Sequence, residues 1–170
     1  MQRDSVSTIV CALNACGARY LIAGGLAVVA HGYVRLTADL DLILDLEDEE
    51  ATRRALEALA GLEYMPRAPV PIAQFALAQK RAEWITEKGI KVFSLSSSLH
   101  PATEIDLFVE PPIAFNEAYA RAMRAEVAPG AEASFLGYED LLFLKKKAGR
   151  SQDLLDIEKL QSLRRERGHD

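Results

Sequence analysis

Two carboxylates spaced i, i+2, Asp39 and Asp41, are the first residues in this chain whose types and spacing suit chemistry. On an extended strand such residues project to the same face, so both side chains point together. Two like charges that close destabilise a fold unless something positive lies between them. Magnesium suits that place, because it prefers carboxylate oxygens and keeps waters or phosphate oxygens in the rest of its octahedron. The same pair also fits the solvated edge of a half-buried strand. An aspartyl-phosphatase DxDxT motif is excluded, since Ile43 stands at the threonine position. A third carboxylate, Asp106, lies between Ile105 and Leu107-Phe108. An aspartate in an apolar run is costly unless it is paired, hydrogen-bonded or metal-bound. Glu104 shares its face but sits at the start of the run, where water reaches it. Asp106 is therefore the functional acid and Glu104 its periphery; a solvent-facing aspartate on an edge strand is the other reading.

Gly24-Gly25 follows the short apolar run Tyr20-Leu21-Ile22-Ala23. Glycine there lets the backbone approach a ligand closely, and the free amides of a following helix face an anion. A tight turn requiring positive φ explains the pair equally well. The GxGxxG dinucleotide fingerprint is absent, because Leu26 and Val29 do not fit it.

The elements that must position these residues follow from periodicity. Val6, Ile9, Val10 and Leu13 recur at helical spacing, with Asp4 or Ser5 as the cap and Gly17 as the stop. Residues 20–23 read as a strand, 26–32 as a short helix, 40–46 as an alternating strand, and 49–60 as a helix with acids in its first turn. Pro66, Pro69 and Pro71 mark a loop, and 72–86 reads as one helix ended by Gly89. Strands 90–95 and 103–109 pair as neighbours across a turn at Ser96-Ser97-Ser98. Pro111-Pro112 opens a helix carrying Phe115, Ala118, Tyr119 and Ala122 on one face. A strand near 133–136 precedes helices 139–148 and 152–163, the second capped by Ser151, and the tail from 164 to 170 reads as frayed. The pattern is α/β (α+β): a small mixed sheet flanked by helices, helical at its C-terminal end, in one domain spanning 1–170.

Charge and composition exclude several function classes. A net charge of −5 with only 20 Lys and Arg argues against a broad basic surface for nucleic acid and leaves room for a local patch. The longest apolar stretch, residues 20–34, is broken by Gly24, Gly25 and His31, short of the roughly 20 residues that span a bilayer. No apolar run follows a basic start, so a signal peptide is not expected. Cys11 and Cys16, five apart on a helix, fall on different faces and form neither a disulfide nor a CxxC pair. These features point to a cytoplasmic, reducing compartment and no membrane partner.

Residues 22–42, with the glycine pair and Asp39-Leu40-Asp41, resemble the start of a minimal nucleotidyltransferase domain, most of all the bacterial AbiEii-like group, which includes toxins of toxin–antitoxin pairs. That superfamily's pattern is a glycine pair, a carboxylate pair on the next strand and a third carboxylate on a later one; all three occur here in order. Residues 144–157 resemble the group's lysine–arginine–aspartate helix pair. The resemblance implies magnesium-dependent transfer of a nucleotidyl group from a nucleoside triphosphate to an acceptor hydroxyl. That acceptor would belong to RNA, a protein or a small molecule such as an aminoglycoside, and an antitoxin would be a possible partner. It implies that Gly24 and Gly25 approach the triphosphate, and that Asp39, Asp41 and Asp106 hold two magnesium ions during turnover. Asp106 would also orient or deprotonate the acceptor hydroxyl. Arg35 and Thr37 would touch phosphate or order their loop; Arg35 fits a salt bridge to Asp39 or Asp41 as well. The second glycine is often serine in the superfamily, so with Gly25 phosphate contact would rest on backbone amides. A catalytically silent nucleotide-binding or protein-interaction domain is the alternative.

Lys145 and Lys147, beside Lys146 and Arg150, are candidates to face the triphosphate, although cations at a helix C-terminus are favoured by the dipole alone. Asp153 falls in the first turn of the last helix, and Asp156, one turn further on, has Arg150 or Lys159 as its candidate partner. His31 reads as a capping or packing residue, there being no second histidine at zinc spacing, and Trp84 as core.

Overall fold

The computed structural model describes residues 3–168. Helix α1 (Arg3–Ala15) and strand β1 (Tyr20–Ile22) lead into helix α2 (Gly24–Ala30) and strand β2 (Asp39–Leu44). Helix α3 (Glu49–Gly61), strand β3 (Tyr64–Pro66), a 3₁₀ turn (Ile72–Ala76) and helix α4 (Ala78–Lys88) follow. Strands β4 (Val92–Ser97) and β5 (Glu104–Phe108), helix α5 (Phe115–Ala120) and strands β6 (Met123–Ala128) and β7 (Ala131–Phe135) complete the sheet, and helices α6 (Tyr138–Ala148) and α7 (Ser151–Arg167) close the chain.

All seven strands join one mixed sheet in the order β3-β4-β5-β2-β1-β7-β6. Its centre is the parallel pair β2/β5, flanked by antiparallel β1/β2 and β4/β5; β1 runs parallel to β7. Leu40 lies opposite Ile105 and Leu42 opposite Leu107, and all four are fully buried. That apolar layer fixes the register, because a one-residue slip would turn every one of these side chains to the other face. The buried apolar residues form one connected cluster that also takes in α1 (Ile9, Leu13) and α7 (Ile157, Leu160). Trp84 lies in it, stacked on Phe93 at 5.1 Å, as expected.

Several elements differ from the sequence reading, each for a local reason. The run 72–86 is not one helix: it breaks at Leu77, whose extended backbone (ψ 115°) separates the 3₁₀ turn from α4. Helix α2 begins at Gly24 and not at residue 26, so both glycines lie in its first turn. Ser96 and Ser97 belong to β4 and pair with Met65 and Tyr64 of β3, a strand hidden by its own Pro66. Residue 122 ends no helix; α5 stops at Ala120, and the unexpected strand β6 forms a hairpin with β7. Arg150, not Ser151, is the N-cap of α7, its amide donating to the Asp153 carboxylate at 3.3 Å. The helix continues through Arg167, so residues 164–167 are helical and not frayed, while His169 and Asp170 lie outside the described residues, as do Met1 and Gln2 at the start.

Asp48 caps α3, accepting from the amides of Glu50 and Ala51 at 3.0 Å each. Those donors have no other helical partner, so Asp48→Ala should lower stability by about 1 kcal/mol in denaturant unfolding. An unchanged midpoint would show that water replaces the cap without cost.

Candidate active site

The register that buries Leu40 and Ile105 turns their neighbours to the opposite face. Asp41 lies directly across from Asp106, and Asp39 across from Glu104, on adjacent parallel strands. The four carboxylates therefore share one face of the sheet centre. The register puts the two carboxylates of β2 and the one proposed on β5 on one face of the sheet, with Asp41 beside Asp106.

Each is held differently. Asp106 accepts a hydrogen bond at 2.5 Å from Ser94 Oγ, its register partner on β4. Glu104 pairs with Arg67 at 2.8 Å, in keeping with a peripheral role. Burial pushes the Asp41 carboxyl up to about 6, reinforced by the charges of Asp106 and Asp39 and opposed by Lys145 and Arg150. Asp39, at the exposed start of β2, is raised by desolvation and then by Asp106 and Glu104. These shifts describe an anionic pocket not fully neutralised by the protein itself.

Gly24 and Gly25 make that pocket possible by having no side chains. Gly24 sits at φ +58°, and a Cβ there would stand 1.8 Å from Asp41 Oδ2. The carboxylate thus packs directly on the backbone at the first turn of α2. A Cβ on Gly25 would meet Thr37 Oγ1 at 2.4 Å and Arg35 Nη2 at 3.1 Å. The space above Gly25 is filled by Thr37, whose hydroxyl makes only a long 3.4 Å contact to the Asp39 carbonyl. Any side chain at position 25 would therefore displace Thr37.

The basic residues sort clearly. Lys145 is buried and bridges Asp153 and Asp156 at 2.8 Å each, whereas Lys147 is exposed. Arg150 pairs with Asp153 at 2.8 Å. Arg35 does not bridge Asp39 or Asp41; it pairs with Asp156 of α7 at 2.8 Å. Asp156 in turn takes Arg35, Lys145 and Gln152 rather than Arg150 or Lys159. Burial alone would raise both aspartates of α7, but hydrogen bonds from Arg150 and Lys145 to Asp153, and from Lys145, Gln152 and Arg35 to Asp156, hold them below the usual carboxylate range. Sequence reasoning missed this cluster, since Arg35 and Asp156 lie 121 residues apart. His31 is a packing residue: its Nε2–H donates to the Leu136 carbonyl at 2.8 Å and its ring meets Tyr138 edge-on. Cys11 and Cys16 are free thiols.

Among the described residues no three His, Cys, Asp or Glu side chains stand close enough to enclose a metal ion on their own. The donor chemistry nonetheless fits magnesium, which is ordinarily held by one or two carboxylates with substrate phosphates completing the octahedron. A cavity of about 570 Å³ lies past the carboxyl ends of β2 and β5, lined by Leu46, Arg81, Ile85 and Phe115 among others, and includes none of the residues above. No helix of the described residues is long and apolar enough to cross a membrane.

No protein-family model and no curated protein sequence matches the chain. Among solved structures it is similar to the antibiotic-resistance factor ANT(2'')-Ia, a nucleotidyltransferase, whose structure was determined in solution. The likeness has a TM-score of 0.52 at 13% identity and covers 99% of this chain and 95% of that one. Mixed sheet, flanking helices and helical C-terminal end together make this a nucleotidyltransferase-like α/β fold.

Proposed function

We propose that this protein is a magnesium-dependent nucleotidyltransferase that moves a nucleotidyl group from a nucleoside triphosphate to an acceptor hydroxyl. The observation carrying this reading is the pairing of Asp41 with Asp106 on adjacent parallel strands, with Asp41 packed on Gly24. Asp39, Asp41 and Asp106 would hold the ions, and bound magnesium would supply charge neutralisation for the triphosphate and the departing pyrophosphate. By lacking side chains, Gly24 and Gly25 let Asp41 and Thr37 close on the first turn of α2, where the backbone amides and the Thr37 hydroxyl would meet the triphosphate. Asp106, steadied by Ser94, is placed to orient the acceptor hydroxyl and take its proton.

Within this reading the acceptor is small or offers a short footprint. The chain's net charge of −5 leaves little cationic surface for an extended RNA, and the fold is shared with an antibiotic-resistance factor. A toxin acting on RNA or protein, held by an antitoxin, is the reading that the AbiEii-like resemblance supplies.

The test is mass spectrometry of RNA, protein and small-molecule pools after expression of the intact protein or its Asp106→Asn variant. A nucleotide-sized adduct formed only by the intact protein is expected, and it names donor and acceptor together. Triphosphate binding without pyrophosphate release on any acceptor class would replace this reading with a catalytically silent nucleotide-binding domain.

A further inference from the structure

The segment leading into Asp39 and Asp41 has little apolar reason to keep one shape. Residues 33–38 belong to no helix or strand, and Val34 and Leu36 are 82% and 97% exposed. Between them Arg35 turns inward. Its Nε lies 2.8 Å from Asp156 Oδ1, its Nη2 donates to Oδ2 at 3.0 Å, and its Nη1 donates to the Leu36 carbonyl at 2.9 Å. Asp156 is fully buried and is itself fixed by Lys145 at 2.8 Å and Gln152 at 2.9 Å. The same guanidinium reaches over Gly25, beside the Thr37 hydroxyl.

We infer that Asp156 and Arg35 are a positioning pair by which the C-terminal helix sets how Thr37, Asp39 and Asp41 approach Gly24-Gly25; this rests on the nucleotidyltransferase reading of that face. One hydrogen bond from Nη2, a charge contact at Nε whose N–H makes no aligned bond, and the Nη1 bond to Leu36 hold the planar guanidinium in one direction, which a lysine ammonium cannot reproduce. Each untethered residue adds up to about 3.5 Å of reach, whereas a metal-binding constellation tolerates only about 0.5 Å. Arg35 acts through the residues that follow it and need not touch substrate. The charges are arranged so that the fold survives its loss. Without Arg35, Asp156 keeps Lys145 and Gln152, and without the Asp156 charge, Lys145 keeps Asp153.

The experiment compares Arg35→Gln, Asp156→Asn, their double variant and Arg35→Lys, using titration calorimetry with Mn²⁺ and with ATP, amide hydrogen exchange over residues 33–41 and thermal unfolding. Each single change should weaken Mn²⁺ binding about tenfold and speed exchange over 33–38, while the double variant is no worse than the poorer single one. Arg35→Lys should fall between wild type and Arg35→Gln. Two results would overturn the pairing: additive losses, or Arg35→Gln weakening triphosphate binding while Asp156→Asn leaves exchange and Mn²⁺ binding intact. The latter would make Arg35 a direct phosphate ligand. Should the wild type bind no Mn²⁺, the reading of the carboxylate face fails, and the exchange rates alone decide whether the pair orders the segment.

Discussion

Asp41→Asn is expected to reduce nucleotidyl transfer at least about a thousandfold and, in the same sample, to make the metal-free protein more stable at pH 7.5. The loss of activity follows from removing the β2 carboxylate that faces Asp106, because a bound metal supplies several kcal/mol of charge stabilisation to such a transition state. The gain in stability follows from the Asp41 carboxyl holding its proton up to about pH 6 in the fold, chiefly through burial. In the unfolded chain it ionises near pH 4, about the ordinary value. Between those two points the folded protein binds more protons than the unfolded one, so stability falls as pH rises through the window and stays reduced above it. At neutral pH the difference amounts to about 2–3 kcal/mol. The amide never ionises and escapes that cost. Thermal unfolding at pH 5, 6 and 7.5, with and without magnesium, separates the two effects. Wild type should weaken from pH 5 to 7.5 and recover with magnesium, while the variant is insensitive to both through this site. A variant less stable than wild type at pH 7.5 would show that the carboxylates are already compensated by Lys145 and Arg150.

Gly24→Ala should be the most damaging single methyl group in the chain. Two costs coincide there. A φ of +58° disfavours any residue with a Cβ by about 1–2 kcal/mol. The added carbon would also overlap Asp41, 1.8 Å from Oδ2 and 2.6 Å from Cγ, so the carboxylate must swing away from its place opposite Asp106. A displacement of about 1 Å in a catalytic group lowers turnover on the order of a hundredfold. Gly89 separates the two costs, since it has φ +63° and nothing within 4 Å of its virtual Cβ. Gly89→Ala should lower the unfolding temperature by a few degrees and keep full activity, about 2–4 °C per kcal/mol for a chain of this size. Gly24→Ala should lose both. Equal activity in the two variants would mean that Asp41 relaxes without consequence, and the importance given to its packing on Gly24 would be lost.

The carboxylates of the proposed site stood out in the linear sequence because each signal is local. Alternation along 40–46 and the apolar surroundings of Asp106 depend only on the two-residue repeat of a strand and on the cost of burying a charge. Other elements were obscured for equally local reasons. Strand β3 has three residues and ends in Pro66, and β6 is an edge strand whose short alternation of Met123, Ala125 and Val127 with Arg124 and Glu126 directly follows the apolar face read as a helix through residue 122. What only the tertiary structure decided is which residues meet. Asp41 faces Asp106 because Leu40 and Leu42 find Ile105 and Leu107 on the other side of the sheet. Thr37 fills the space above Gly25, and Arg35 leaves the nearby aspartates for Asp156, which is fixed by Lys145. Pairings over such separations are set by how the whole core packs and by which buried charge lacks a partner, and neither is a property of neighbouring residues.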